Sequence, residues 1–297
     1  MRIYAIIVTY NGRHWVDFCL GSLRKSSIPT IPIIIDNNST DNSVTYIQKE
    51  YPEVILFPQE KNLGFGQANN VGLRYALAHN ADYVLLLNQD AAIASNAIEL
   101  MLAQSDGKSL LSPIHLNGDG TRLDHNFRQN TLLKSSLVID DIFTGNLKSY
   151  YQIGEVCAAC WLLPIAIIKK VGGFNPLFLQ YGEDNNYYQR LCYYSVPTIL
   201  VPAARAYHDR QVQGNIQVYN SRILYRQLLI NATNVNFNLS QRLRAQLSIL
   251  YVCYTRDLPC GKYIIGFYLL NILRLLGKVK LIVHSRKVEK HIQTIWL

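Results

Sequence analysis

The chain has 297 residues, of which 49% are hydrophobic and 16% charged, so it can bury a full core and is neither disordered nor fibrous. Its net charge of +9 is unevenly placed: residues 1–204 contain 15 Lys and Arg against 17 Asp and Glu, whereas residues 205–297 contain 14 against 3. The basic segment indicates either an anionic neighbour, such as nucleic acid, a bilayer surface or a phosphorylated ligand, or a solvated helix face.

The six cysteines, at positions 19, 157, 160, 192, 253 and 260, show no spacing typical of a disulfide framework. Four of them fall in apolar stretches, which predicts reduced, mostly buried thiols of a cytosolic protein. Cys157 and Cys160 have the spacing of a redox or zinc pair, but no second Cys or His pair accompanies them, and we interpret them as structural. The apolar run Ile3–Val8 is too short for a secretory signal, and residues 245–255 and 263–273 are each too short to span a bilayer.

The first half of the chain alternates strand and helix patterns with short connections, which predicts a mostly parallel sheet covered by helices. The first four predicted strands are Ile3–Thr9, Ile31–Ile35, Val54–Phe57 and the apolar run that ends at Leu87. Residues 105–150 are predicted to be rich in loops, which form either a mobile lid or a long connection between two strands. Two further strands are predicted at Gly154–Leu163 and Pro197–Val201, with a short helix from Pro164 and another beginning near Glu183.

Polar residues follow each of the first four strands. They are Thr9-Tyr10-Asn11-Gly12, Asp36-Asn37-Asn38, Asn62-Leu63-Gly64 and Asn88-Gln89-Asp90. Because open α/β sheets bind ligands at the carboxyl ends of their strands, this repetition indicates a nucleotide site. Asp90 alone is either a metal ligand or the cap of a helix that begins at Ala91. The Gly64-x-Gly66 pair lacks the third glycine of a dinucleotide fingerprint, which disfavours a Rossmann dehydrogenase.

Three further titratable residues are candidates for the same site. Glu183 and Asp184 stand in the first turn of a predicted helix, where the helix dipole favours carboxylates, with ordinary capping as the alternative. His208 follows the last predicted strand, where a lone histidine is either structural or a ligand. From about Tyr219 onward, aromatic and aliphatic residues alternate with Arg and Lys at helical spacing. This pattern predicts either helices on an anionic membrane interface or a helical cap packed on the preceding domain.

The ordered set of motifs resembles the family 2 inverting glycosyltransferases of the GT-A fold, in particular their rhamnosyltransferase-like branch. The segments that carry the resemblance are Ile7–Gly12, Asp36–Asp41, Asn62–Gly66 with Asn69–Gly72, Leu87–Asp90 and Gly172–Asp184. The resemblance implies an α/β GT-A domain at residues 1–215, with a mostly parallel sheet flanked by helices. A basic, amphipathic helical extension would follow at residues 216–297.

The resemblance also implies roles for individual residues. The donor-binding residues would be Thr9, Tyr10, Asn11, Asp36, Asn38, Asn62, Gly64, Asn70, Asn88 and Asp90. Among them, Asp36 would accept a hydrogen bond from a pyrimidine ring. Asn88 replaces the first acid of the family's Asp-x-Asp motif, so ligation of Mg²⁺ or Mn²⁺ would fall mainly on Asp90, with His208 completing the metal site. Asp184, with Glu183 beside it, would be the general base that deprotonates the acceptor hydroxyl.

The implied reaction moves a sugar from a nucleotide-diphospho-sugar, of the dTDP-rhamnose or UDP-hexose type, to a saccharide or lipid-linked glycan acceptor. The protein would be cytoplasmic, with peripheral contact to the inner face of the cell membrane if residues 216–297 bind lipid, and no nucleic-acid partner is expected. Two alternatives remain open. A sugar-1-phosphate nucleotidyltransferase normally has a phosphate loop rich in Gly and Lys or Arg after its first strand, which Thr9–Gly12 lacks. A non-catalytic nucleotide- or carbohydrate-binding protein is compatible with Asn88.

Overall fold

A computed structural model describes residues 1–210, 221–255, 261–291 and 295–297, so the predicted boundary between residues 215 and 216 lies outside the described residues. The strands are β1 (Ile3–Thr9), β2 (Ile31–Asp36), β3 (Ile55–Pro58), β4 (Tyr83–Leu87), β5 (Ala91–Ile93), β6 (Leu110–Asn117), β7 (Tyr151–Ile153), β8 (Cys160–Pro164) and β9 (Thr198–His208). The helices before residue 210 are α1 (Val16–Arg24), α2 (Ser43–Glu50), α3 (Phe65–Ala78), α4 (Ala97–Ala103), α5 (His125–Asn130), α6 (Ser136–Thr144), α7 (Ile165–Val171) and α8 (Glu183–Tyr193). The later helices are α9 (Ser221–Thr233), α10 (Leu239–Thr255), α11 (Gly261–Gly277) and α12 (Val279–His291).

The nine strands form one sheet in the order β3-β2-β1-β4-β8-β6-β9-β5, with β7 beside β9. Strands β1 to β4 are parallel to one another. β8 is antiparallel to its neighbours β4 and β6, β6 is parallel to β9, and the short strands β5 and β7 are antiparallel to β9. The predicted, mostly parallel sheet is therefore confirmed, and the carboxyl ends of β1 to β4 meet at one edge.

Strand β1 shows why the sequences of the central strands are continuous apolar runs. Its side chains alternate between two buried layers, with Tyr4 and Ile6 in one and Ala5 and Ile7 in the other. Helix α3 approaches the first layer closely at Gly72, where a Cβ atom would lie 2.6 Å from Cγ2 of Ile6. The glycine therefore lets this helix pack directly on the sheet.

In the middle of the chain, the structure rules out one alternative and corrects one prediction. Ala91 begins strand β5 instead of a helix, because it pairs with His208 of β9, so Asp90 caps no helix. Residues 105–150 contain the central strand β6 as well as α5 and α6. The polar residues Ser112 and His115 interrupt the apolar pattern of β6, yet both are buried, with Oγ and Nε2 3.2 Å apart.

Two predicted strands have different limits in the structure. The strand predicted at Gly154–Leu163 begins only at Cys160, in the stretch that pairs with β4. The strand predicted at Pro197–Val201 continues as β9 to His208, because a register shift opposite Pro113 and Ile114 lets it resume its pairing with β6. This extension brings His208 to the carboxyl edge of the sheet.

Helices α9 to α12 pack beside the loop that precedes α8. Phe178 of that loop belongs to an apolar cluster with Leu224, Leu228 and Ile282. At the start of the same loop, the Gly173 N–H donates a hydrogen bond of 2.8 Å to the carbonyl of Ile295, near the C-terminal end of the described residues. The described part of the C-terminal segment thus packs on the sheet domain, and none of its described helices is long and apolar enough to cross a membrane.

Candidate functional site

An open cleft of about 590 Å³ lies at the carboxyl edge of the sheet. Seven of the predicted site residues line it: Tyr10, Asn62, Gly64, Asn88, Asp90, Glu183 and Asp184. The lining residues that sequence analysis did not assign to the site include Gln89, Asn126, Cys157, Tyr181 and Arg210. The ends of the first four strands and the start of α8 therefore meet in one cavity.

The middle residue of the Asn88-Gln89-Asp90 motif faces strand β1. Oε1 of Gln89 accepts hydrogen bonds from the Thr9 hydroxyl and from the Tyr10 N–H, both of 2.9 Å. Thr9 is therefore buried against Gln89 and does not line the cleft. Gln89 joins the ends of β1 and β4 and leaves Asn88 and Asp90 to face the cavity.

Asp36 ends strand β2 with one carboxylate oxygen bonded and the other free. Its Oδ2 accepts a hydrogen bond of 3.0 Å from the Ser39 N–H, whereas Oδ1 is buried and has no partner in the parts of the chain that the structure describes. Asn11 and Asn38 have positive φ angles, of 49° and 65°, and lie in the turns after β1 and β2. Asn11 Oδ1 also accepts a hydrogen bond of 2.8 Å from the Thr40 N–H, which ties the two turns together.

The turn before α3 is fixed by its own residues and by the loop before α8. Oδ1 of Asn62 accepts a hydrogen bond of 2.8 Å from the Gly64 N–H. Gly64 has a φ of 77°, and a Cβ there would collide with the carbonyl oxygen of Leu179. Asn70 is buried away from the cleft and exchanges hydrogen bonds of 2.8 and 2.7 Å with the main chain of Phe174. Asn70 therefore fixes the loop before α8 to helix α3 through the main chain of Phe174.

His208 lies between two carboxylates. Its Nε2 is 3.3 Å from Oδ1 of Asp90, and its Nδ1 is 3.4 Å from Oδ2 of Asp124. Burial alone would lower the pKa of His208, but its interactions with Asp124 and Asp90 outweigh burial and raise it. Asp124 also caps α5, where Oδ1 accepts a hydrogen bond of 2.9 Å from the Phe127 N–H. The only sequence signal at Asp124 is that of a helix cap, so its contact with His208 was missed.

The donor atoms near His208 suit a divalent cation bound mainly through oxygen. Oδ1 of Asn88 is buried without a hydrogen-bond partner among the described residues, and Nδ2 of the same amide lies 3.5 Å from His208 Nε2. Asp90 adds a carboxylate, and this mixture of oxygen donors with one imidazole fits Mg²⁺ or Mn²⁺. Within the described ranges, no group of three or more His, Cys, Asp or Glu side chains forms a metal cluster. A bound diphosphate would have to supply further oxygens.

The first turn of α8 presents two acids to the same cleft. Glu183 is only 6% exposed, and burial, with a smaller effect of Asp184, raises its pKa to about 8. Burial also raises the pKa of Asp184, which remains partly exposed to the cleft. Nearby, burial and the charge of Asp184 raise the pKa of Glu155 to about 7, and Glu155 accepts a hydrogen bond from the Asn185 side chain. At neutral pH, Asp184 is therefore flanked by carboxyl groups that retain their protons easily.

Cys157 lines the cleft, but its contact with His115 and its raised pKa agree with a structural role. Its Sγ lies 3.5 Å from Nδ1 of the buried His115, and burial raises the pKa of the thiol to about 12. Cys160 is buried in β8, and neither cysteine forms a disulfide. Cys19 is also buried and free, whereas Cys192 is exposed. The side chains at positions 253 and 260 lie outside the described part.

Comparison with known sequences identifies relatives. A family model described as Glycosyl transferase family 2 matches residues 4–172. The N-acetylglucosaminyl-diphospho-decaprenol L-rhamnosyltransferase of Mycobacterium tuberculosis is 24% identical over 230 residues, which cover 69% of this chain and 75% of that protein. The dTDP-rhamnosyl transferase RfbF of Shigella flexneri is 24% identical over 121 residues, 40% of each chain. These matches confirm the resemblance to rhamnosyltransferases.

Solved structures of low sequence identity share the fold. S. aureus TarS 1–349 in complex with UDP-GlcNAc superposes with a TM-score of 0.60 at 17% identity, over 98% of this chain and 91% of that one. Mannosyltransferase PcManGT of Pyrobaculum calidifontis, in complex with GDP-Man and Mn²⁺, gives a TM-score of 0.58 at 13% identity, over 97% and 86% of the two chains. The expected GT-A fold is therefore confirmed.

Proposed function

Since the chain belongs to glycosyl transferase family 2, we propose that it transfers a sugar, with inversion, from a nucleotide-diphospho-sugar to a saccharide or lipid-linked glycan. The observation that carries the proposal is that Asn88, Asp90, Glu183 and Asp184 line one cleft. This reaction needs a bound cation, which stabilises the leaving diphosphate, and a base, which deprotonates the acceptor hydroxyl. The activities of the two rhamnosyltransferase relatives support a dTDP-rhamnose donor and a lipid-linked acceptor.

The nucleotide binds at the ends of β1 and β2, and the cation is held beside β4. Asp36 supplies a carboxylate oxygen, Oδ1, that lacks a partner among the described residues and can accept a hydrogen bond from a pyrimidine N–H. Asp90 and His208 would hold the Mg²⁺ or Mn²⁺, and Asn88 Oδ1 would be a further ligand. When bound, the cation neutralises the charge that develops on the leaving diphosphate. Asp124 lies against Nδ1 of His208 and keeps Nε2 directed at Asp90.

Asp184 is the base in this proposal. Its carboxylate takes the proton of the acceptor hydroxyl while that oxygen bonds to the anomeric carbon and the bond from this carbon to the diphosphate oxygen breaks. A single base suffices for inversion, since no covalent intermediate forms. Glu183 is the weaker candidate for this role, because it is more deeply buried than Asp184 and burial raises its pKa to about 8. A protonated Glu183 also avoids a second negative charge beside the base.

The first test compares nucleotide binding with turnover. Wild-type protein is expected to gain thermal stability with dTDP or UDP in the presence of Mn²⁺, and to consume the matching nucleotide-sugar when an acceptor mixture is added. Asp184→Asn is expected to bind the nucleotide equally well and to lose transfer by at least a hundredfold. The matched control Asp140→Asn removes an exposed carboxylate of α6 and should change neither property. Undiminished transfer by Asp184→Asn would remove the base assignment.

The same experiment separates the alternative functions. Release of pyrophosphate from a nucleoside triphosphate and a sugar 1-phosphate would indicate a nucleotidyltransferase. Nucleotide binding without consumption of any nucleotide-sugar, over a panel of acceptors and both cations, would indicate a non-catalytic binding protein.

We also propose that the C-terminal helices contact an anionic bilayer. On α10, Leu239, Leu243 and Leu247 recur every fourth residue and are 63%, 57% and 61% exposed. Exposed basic residues accompany the exposed leucines of α10 to α12: Arg244, Arg274, Lys280 and Lys287. An apolar face beside basic residues matches a membrane surface that offers both acyl chains and negative charge.

Co-sedimentation with vesicles tests the membrane contact. Vesicles with about a third of phosphatidylglycerol should bind the wild-type protein at low salt, and less at high salt because salt screens the charges. The double substitution Leu243→Glu and Leu247→Glu should reduce this binding strongly. A control pair, Leu137→Glu and Phe143→Glu, places the same charges on the exposed apolar residues of α6 and should have little effect. Absence of wild-type binding at low salt would remove the membrane contact.

A further inference from the structure

Tyr181 is a large aromatic residue in a backbone conformation that disfavours it. It has a φ of 65°, is 59% exposed and lines the cleft two residues before Glu183. Gly182 follows with a φ of 98°, so two successive residues adopt positive φ angles. A bulky residue with positive φ is strained, and such strain is concentrated at functional sites. The position of this ring is therefore retained at a cost in stability.

The loop that carries Tyr181 is anchored on both sides. Phe178 is buried against the α9 to α12 cluster. The carbonyl of Leu179 lies against Gly64 so closely that any side chain there would collide with it. A Cβ at Gly182 would likewise meet the Phe178 ring at 3.0 Å. These contacts hold the Tyr181 ring at the rim of the cleft, beside the proposed base.

Arg226 of α9 lies behind the Tyr181 ring. Its Cζ is 5.4 Å from the ring centroid, within the range of a cation–π contact. Its Cγ would lie 3.2 Å from a Cβ at Gly182, the residue directly before the two acids. Its positive charge lowers the pKa of both Glu183 and Asp184, although burial dominates at each and raises both values. Across the described residues, Arg226 forms no ion pair with any acid. Arg226 is half-buried, and its positive charge lies directly behind the cleft-lining residue Tyr181.

We propose that Tyr181 and Arg226 form an acceptor subsite for a sugar ring that carries a phosphate or diphosphate group. This inference rests on the proposed glycosyl transfer and names the class of acceptor. The exposed face of Tyr181 offers the flat apolar surface on which the C–H face of a sugar ring stacks. The planar guanidinium of Arg226 offers paired N–H donors that match phosphate oxygens. A sugar held there presents its hydroxyl groups to Asp184.

A purely structural role of Arg226 leads to a different expectation. If the guanidinium only supports the Tyr181 ring or adjusts the two acids, its removal weakens neutral and phosphorylated acceptors by the same factor. If it binds the anionic group, the loss is confined to phosphorylated acceptors. The comparison of two acceptors that differ only in this group therefore decides between the two roles.

Binding is measured on the full chain with Mn²⁺ and the stabilising nucleoside diphosphate, and turnover with Mn²⁺ and the nucleotide-sugar that the wild type consumes. The probes are octyl glycosides of N-acetylglucosamine, glucose and galactose, each paired with the octyl diphosphate ester of the same sugar. We expect at least one diphosphate probe to bind the wild-type protein at least tenfold more tightly than its neutral counterpart. Arg226→Gln should remove this difference and change binding of the neutral probe less than twofold, and its KM for the diphosphate acceptor should rise more than its kcat falls.

The variants of Tyr181 test the stacking surface. Tyr181→Ala should weaken both members of a probe pair, and Tyr181→Phe should restore both, because the ring is retained. Arg2→Gln removes an exposed guanidinium at the opposite end of β1 and should change neither probe. Equal weakening of both probes by Arg226→Gln, or no preference of the wild type for any diphosphate probe, would overturn the subsite. If nucleotide binding and donor consumption persist in that case, only the subsite is wrong; if they are absent too, the proposed function fails.

Discussion

The guanidinium of Arg190 and the carboxylate of Glu289 are both fully buried, with Nε and Oε1 3.6 Å apart. Arg190 belongs to α8, whose first turn carries the acid pair, and Glu289 belongs to α12. Arg190 also donates hydrogen bonds of 2.7 and 2.6 Å to the carbonyls of Val171 and Gly173. Burial raises the pKa of Glu289 and lowers that of Arg190, so each charge depends on the other. The pair joins the C-terminal helices to the wall of the cleft.

Removing one member of this pair should destabilise the protein strongly. Glu289→Ala leaves the Arg190 charge buried without an acid, and loss of one partner of a buried pair typically costs about 3–5 kcal/mol. Urea denaturation measures the change in the free energy of unfolding. Glu53→Ala is the matched control, because it breaks an exposed 2.7 Å ion pair with Arg24, which is expected to cost at most about 1 kcal/mol. Similar losses in the two variants would contradict this prediction.

Asp124→Asn should weaken metal binding without disturbing the fold. Asparagine still caps α5, but it removes the negative charge beside Nδ1 of His208. Loss of such an orienting carboxylate typically lowers metal affinity by about 10–100-fold. Electron paramagnetic resonance of Mn²⁺ in the presence of nucleoside diphosphate measures the affinity, with Asp140→Asn as a control. An unchanged Mn²⁺ affinity at an unchanged Tm would show that Asp124 serves only as a cap.

Glu183→Gln should stabilise the protein at alkaline pH but not at acidic pH. The ordinary pKa of the glutamate is 4.5, and it is raised to about 8 in the folded state, mainly by burial and also by Asp184, whereas Arg226 lowers it. Between these values the folded chain holds a proton that the unfolded chain has lost. The wild type therefore loses stability as the pH rises through this window, by roughly 1.4 kcal/mol per pH unit at most.

The glutamine variant lacks this dependence, so its advantage over the wild type should grow from about pH 5 to about pH 8. Urea denaturation at several pH values measures both curves. Parallel curves over this range would contradict the raised pKa of Glu183.

Tyr181→Gly should make the protein more stable and less active. Glycine adopts a φ of 65° without the steric cost that tyrosine has, although its greater freedom in the unfolded chain offsets part of the gain. We expect a net gain of about 1 kcal/mol together with weaker acceptor binding. Tyr150→Gly is the control, because Tyr150 is 52% exposed and is not among the residues with positive φ. A loss of stability as large as that of the control would contradict strain at Tyr181.

The first four strands and their polar ends were predictable because both signals are local. Buried apolar runs identify β1 to β4, and the polar residues follow directly, so the sequence pattern alone assigns Asp36 and Asp90 to one edge of the sheet. Strand β6 could not be predicted in this way. Its residues Ser112 and His115 are polar, and they are acceptable in a core because they contact each other and because His115 also contacts Cys157.

Asp124 and Arg226 were missed for a different reason. Each belongs to the site through a contact with a residue far away in the sequence: Asp124 with His208, and Arg226 with Tyr181. A cap before a helix and a basic residue on an amphipathic helix give the same local pattern whether or not they face a cleft. The sequence therefore indicates the nucleotide end of the site more fully than the acceptor end.

The partnership of Arg190 with Glu289 also sets an order of events during synthesis. A ribosome releases the α8 segment well before it has made α12, so Arg190 emerges while its acidic partner does not yet exist. The same holds for the Gly173 amide, whose hydrogen-bond acceptor is the carbonyl of Ile295. A nascent chain arrested before α12 has emerged would therefore lack both contacts between the segment around α8 and the last described residues.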